Sequence, residues 1–165
     1  MGRLGVHFAL TTADERALRA IASGDDRVEH VKEVIEEREL GGEWAYETDK
    51  AWDAIHRCLT DGSLAFDNGT FPLSHVILGG EVMYEGDDYI LSLKTASQVR
   101  DIAAALHGVT EERLRKAYDS LDEDDYGMEL DEEDFEYTWE NFKDLVTFFA
   151  KASKAGRSVL FTADQ

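Results

Sequence analysis

The sequence predicts an α+β fold in one domain: about six helices packed on a small mixed β-sheet, with the first and last strands in the same sheet. Three observations carry this. Apolar residues recur at three- and four-residue spacing in six stretches, most of them opened by a capping residue and closed by glycine. Short apolar runs stand near both ends of the chain and once in its middle. A chain of 165 residues with 43% hydrophobic and 10% aromatic content can bury a core without staples, and no repeat or Ser- or Pro-rich linker divides it. Residues 1–165 therefore read as one domain.

Leu4 to Leu10 is an opening strand. Thr12, with Glu15 three residues on, signals a first helix faced by Ala17, Leu18 and Ile21 and ended by Gly24. Asp26 and Glu29 repeat the signal for a second, faced by Val28, Val31 and Ile35 and stopped by Gly41-Gly42. Thr48-Asp49 opens a third, whose apolar face is Ala51, Trp52, Ile55, Cys58 and Leu59. From Ser63 to Asp88 glycine, asparagine, aspartate and the single proline, Pro72, break helical periodicity; Val76-Ile77-Leu78 and Val82-Met83-Tyr84 flank Gly79-Gly80 as a hairpin or a loop. Tyr89 to Lys94 is a buried strand. Thr95 with Gln98 starts a fourth helix, Thr110 caps a fifth, and a long sixth begins near Asp131 with Phe135, Trp139, Phe142, Val146 and Phe149 on one stripe. Gly156 ends it before a final strand at Val159-Leu160-Phe161.

Charge narrows the function classes. Seventeen Lys and Arg against 36 Asp and Glu give a net charge of −19. Nucleic acid and anionic membrane surfaces are disfavoured, because both are bound by clustered cations. A basic protein surface is the partner such a chain would attract. The lone Cys58 excludes an internal disulfide and a cysteine-held zinc. With no long apolar segment, cytoplasmic residence is the expectation.

The segment Asp49-Lys50-Ala51-Trp52-Asp53-Ala54-Ile55-His56 resembles the central helix motif of the YfbM-like family, a bacterial domain of unknown function. Pro72-Leu73 followed by Ile77-Leu78-Gly79-Gly80 fits that family's next block, and Phe135 to Phe142, running on to Gly156-Arg157-Ser158-Val159-Leu160-Phe161, fits its C-terminal one. The resemblance spans nearly the whole chain. It implies a cytoplasmic α+β domain and no established activity.

Two regions stand out for function. Asp49, Trp52, Asp53 and His56 lie three, four or seven residues apart on one predicted helix side, so an aspartate orienting an imidazole beside a tryptophan wall could serve acid–base work or ligand binding, completed by Trp139. Against this, Trp52 also belongs to the apolar face and Asp49 sits where a cap would. The second region is the acidic run: eleven acids between Asp119 and Glu136 with no Lys or Arg among them. Laid on a calcium loop, Asp122, Asp124, Gly127 and Glu133 take positions one, three, six and twelve, but Tyr126 and Glu129 fail at five and eight. No metal is expected, and with no phosphate loop or dinucleotide fingerprint no cofactor is either. Ser74-His75 reads as two residues of an extended strand pointing to opposite faces, outside any nucleophile elbow.

The leading expectation is a non-catalytic interaction module, by analogy inhibitor- or immunity-like, that binds a basic partner through Asp122, Asp124, Asp125, Glu132 and Glu133. The competing one is a small-molecule-binding protein or enzyme with its pocket at Trp52 and His56.

Overall fold

The computed structural model describes residues 4–164. In chain order these form strand β1 (Gly5–Leu10), helix α1 (Thr12–Ala20), a second helix α2 over residues 24–39, strand β2 (Ala45–Asp49) and helix α3 (Trp52–Leu59). A short 3-10 turn (Leu73–His75) leads to β3 (Glu81–Val82) and β4 (Tyr89–Lys94). Helices α4 (Ala96–Leu106), α5 (Glu111–Asp119), α6 (Glu123–Tyr126) and α7 (Glu132–Lys154) follow, and β5 (Ser158–Asp164) closes the series. Within α2 the middle stretch Val31–Glu36 widens to π-helical winding.

The five strands form one sheet in the order β2-β1-β5-β4-β3. Every pairing among the described residues is antiparallel, which corrects the mixed sheet expected. The first and last strands do pair, from Gly5 opposite Ala163 to Leu10 opposite Ser158. Alternation along these strands sends side chains to two cores. Phe8, Leu10, Leu91, Leu93 and Leu160 meet Leu18, Val31 and Ile35 of α1 and α2. Ala9, Ile90, Val159, Phe161 and Ala163 meet the larger layer made by α3, α4, α5 and α7. A central strand covered on both faces reads as a continuous apolar run, which is how β5 reads. Gly5 lets α3 approach the sheet: a Cβ there would stand 2.5 Å from the Trp52 ring.

Most helix signals sit where the sequence places them. The Thr95–Gln98 capping box is complete in both directions, Thr110 accepts from the Arg113 amide, and Asp131 from the Asp134 amide. Three starts differ. Thr11, not Thr12, caps α1, and Ser23 caps α2 three residues before Asp26. Thr48 and Asp49 do not open α3; they end β2, and α3 starts at Trp52 without a side-chain cap. Gly79-Gly80 is not a hairpin turn. Residues 76–78 are a buried loop, and the hairpin joins β3 to β4, with Glu81 opposite Leu93. The added seventh helix is α6, inside the acidic run. Among the described residues no helix is long and apolar enough to cross a membrane.

Candidate functional site

Asp49, Trp52, Asp53 and His56 face four different surroundings. Asp49 is the last residue of β2 and holds a left-handed backbone with φ of 49°, uncommon for a non-glycine residue. Its carboxylate accepts a hydrogen bond from the Tyr137 hydroxyl, and that same oxygen of Tyr137 accepts from the Lys50 amide at 3.1 Å. Trp52 is 2% exposed and packs on Phe161, ring centres 5.5 Å apart. Asp53 accepts from Arg57 Nε at 2.6 Å, one helical turn on. Trp139, on α7, stacks on Phe142 at 5.7 Å.

His56 is buried, and its ring is fixed by Asn68. The Asn68 amide nitrogen donates to Thr60 Oγ1 at 3.1 Å, Asp61 Oδ1 at 2.7 Å and the Ser63 carbonyl at 2.9 Å. Those three acceptors settle which end of the amide is nitrogen. Asn68 Oδ1 therefore faces His56 Nε2 at 2.8 Å, so Nε2 carries the proton and donates. The Nδ1 atom is buried and makes no hydrogen bond. Burial holds the His56 pKa below its ordinary value, against the opposing effect of the Asn68 hydrogen bond. The residue organises the loop after α3. Nothing in its sequence spacing points to Asn68.

The acidic run is partly used by the fold itself. Asp122 caps α6, Asp131 caps α7, and Glu123 accepts from the Leu130 amide at 2.8 Å. Arg115 pairs with Glu132 at 2.6 Å and Asp119 at 3.3 Å. Arg57, its side chain only 6% exposed, reaches from α3 to Asp125 at 2.6 Å. Asp134 receives two phenols, Tyr118 at 2.7 Å and Tyr126 at 2.8 Å. Burial first, and the Asp134 carboxylate second, push both phenol pKa values up. Asp124 and Glu133 stay in water.

Between the end of β2 and the start of α7 lies a groove of about 370 Å³. Four carboxylates line it, Asp49, Asp131, Glu133 and Asp134, beside one cation, Lys50. Its apolar surface comes from Tyr126, Met128 and Tyr137, with Met128 51% exposed. Among the described residues none of the four carboxylates is in an ion pair. The fold thus brings Asp49 of one predicted group together with Glu133 of the other. Trp52, Asp53, His56 and Trp139 lie outside the groove, as do Asp122, Asp124, Asp125 and Glu132. Sequence reasoning missed Met128 and the three tyrosines that hold the acids. Among the described residues no three His, Cys, Asp or Glu side chains are grouped to hold a metal ion.

A second polar cluster lies under the sheet. Lys94 is fully buried; its ammonium nitrogen donates to the Ile77 carbonyl and lies 5.5 Å from the Phe161 ring centre. Ser92 donates to the Leu78 carbonyl at 2.9 Å. These two side chains satisfy the backbone of the buried 76–79 loop, as a buried carbonyl requires. Burial drives the Lys94 pKa well below its ordinary value. His7, also buried, is lowered by burial and then by Lys94. Ser74 and His75 correct an expectation: they lie in the 3-10 turn rather than a strand, so Ser74 Oγ stands 2.9 Å from His75 Nδ1. Burial and then Asp134 push the Cys58 thiol pKa up to about 12, which disfavours the reactive thiolate.

No curated protein matches the chain significantly. Among solved structures it is similar to a protein of unknown function, YfbM from Escherichia coli, with 19% identity, a TM-score of 0.63, and coverage of 97% of this chain and 99% of that one. At that identity the likeness speaks for the fold. The profile of the family described as a domain of unknown function, DUF1877, matches residues 1–162, and the chain belongs to that family.

Proposed function

We propose that this domain is a non-catalytic binding module that docks a basic segment of a partner protein in the groove between the end of β2 and the start of α7. The observation that carries the reading is the set of groove carboxylates, Asp49, Asp131, Glu133 and Asp134, which no Lys or Arg side chain pairs with among the described residues. A net charge of −19 adds a long-range attraction for cations. The apolar part fits the same occupant. Tyr126, Met128 and Tyr137 offer thioether and ring surface for the aliphatic stems of Lys or Arg, and phenol faces attract their charged heads. Asp122, Asp124, Asp125 and Glu132 do not line the groove but add to the negative charge of the molecule, Asp125 and Glu132 in ion pairs with Arg57 and Arg115.

A dye-labelled Lys/Arg-rich peptide tests this. Binding to the wild-type protein should weaken steeply with added salt, and Glu133→Gln should lower the affinity at low salt several-fold, by about 1 kcal/mol. Asp131→Asn keeps a capping side chain and removes a charge, so it should act in the same direction. Equal affinity in both variants, or binding indifferent to salt, would overturn the reading.

A further inference from the structure

We propose that residues 122–130, helix α6 and the turn after it, are a hinged strap whose docking on Arg57 builds one wall of the groove, which makes Arg57 a positioning residue for binding. The proposal deepens the binding reading above, but its first test does not depend on it.

A four-residue helix has no stability of its own. Asp122 caps this one, and Gly127 closes it in the left-handed region at φ of 82°. The Tyr126 amide bonds to the Asp122 carbonyl and the Gly127 amide to the Glu123 carbonyl, both at 2.8 Å, so these bonds tie the strap to itself. Its attachment to the body passes through few groups. Arg57 donates to Asp125 Oδ2 at 2.6 Å and to the Asp125 carbonyl at 3.2 Å, and its guanidinium lies 5.7 Å from the Tyr126 ring centre. Tyr126 donates to Asp134, and Tyr126 and Leu130 pack partly on the core.

The two sides of this clamp are unequal. Arg57 is gripped from behind by Asp53 at 2.6 Å and by the Gly62 carbonyl at 3.2 Å, with 6% of its side chain exposed. The Asp125 side chain is 61% exposed. Lifting the strap therefore returns Asp125 to water it already touches and leaves Arg57 paired with Asp53, so opening strands no buried charge. What opening removes is Tyr126 and Met128, two of the three apolar groups of the groove.

Amide hydrogen exchange tests the strap directly. Asp125→Asn, at an exposed position safe for folding, should speed exchange at Tyr126 and Gly127 by roughly tenfold or more. Amides of β4 and β5 should keep wild-type rates. Asp124→Asn removes the same charge from the neighbouring residue and should leave strap exchange unchanged. Arg57→Lys, which keeps the charge but not the fork, should fall between wild type and Arg57→Met. With the Lys/Arg-rich peptide, Asp125→Asn should lose more affinity than Asp124→Asn, although neither residue lines the groove. Unchanged strap exchange in both Asp125→Asn and Arg57→Met, or faster exchange everywhere at once, would overturn the proposal. If wild-type protein binds no basic peptide, the binding reading falls and the exchange arm alone decides the strap.

Discussion

Arg57 and Lys94 are both nearly excluded from water, yet the regions around them treat a cation in opposite ways. Around Arg57 two carboxylates and two carbonyls converge, so the guanidinium stays charged and its pKa is raised despite burial. Around Lys94 there is a carbonyl, an aromatic ring and apolar packing, so the amine is pushed toward its neutral form. Burial alone does not decide protonation; the partners do. One region is an ionic clamp that ties α6 to α3. The other is a hydrogen-bonding prop beneath the sheet, serving a loop.

The largest effect should come from the prop. Lys94→Ala leaves a cavity and an unbonded Ile77 carbonyl, and should lower stability in urea by about 3 kcal/mol. Lys94→Met fills the space and needs no deprotonation, so it should stay within about 1.5 kcal/mol of wild type. Equal losses in the two would break the comparison. Next comes the clamp. Arg57→Met should cost about 2 kcal/mol, less than a fully buried pair, because Asp53 and Asp125 are 28% and 61% exposed and return to water.

Titration should sharpen the contrast further. The folded Lys94 pKa lies below the unfolded value of 10.5, so the unfolded chain binds the extra proton in between. Stability should therefore rise as pH climbs from neutral toward that value, and the rise should flatten in Lys94→Met. His7 and His56 also have lowered pKa values, so their contribution is lost as pH falls below 6.5. Melting temperature should drop from pH 7 to pH 5, less steeply in His7→Phe. Smallest of all, Glu133→Gln should change stability by no more than about 0.5 kcal/mol while weakening the basic peptide.

Local chemistry explains what could be read from the chain. The capping box at Thr95 and Gln98, the stop at Gly156, and the buried stripe of Phe135, Phe142 and Phe149 are decided within a few residues of sequence. What was misread is decided across the sheet. Asp49 looks like a helix cap, but pairing with Gly5 holds it in β2. Glu81-Val82 makes a strand only because β4 lies beside it. The same holds for the site. The acids were visible as a run, whereas Arg57 meets Asp125 across 68 positions and Tyr137 meets Asp49 across 88. Neither encounter leaves a trace in spacing.

The place of β5 has a consequence for biosynthesis. This strand is made after all the others, yet it lies at the sheet's centre, hydrogen-bonded to β1 on one side and β4 on the other. Until it leaves the ribosome the nascent chain can pair its strands at most as two separate ribbons, β2 with β1 and β3 with β4. Each lacks its central neighbour and has an open edge. Two-stranded ribbons are marginal in water, and bare edges invite pairing with other chains. Ribosome-stalled chains ending before Ser158 should be protease-sensitive and prone to chaperone capture, and chains carrying Asp164 beyond the exit tunnel should not.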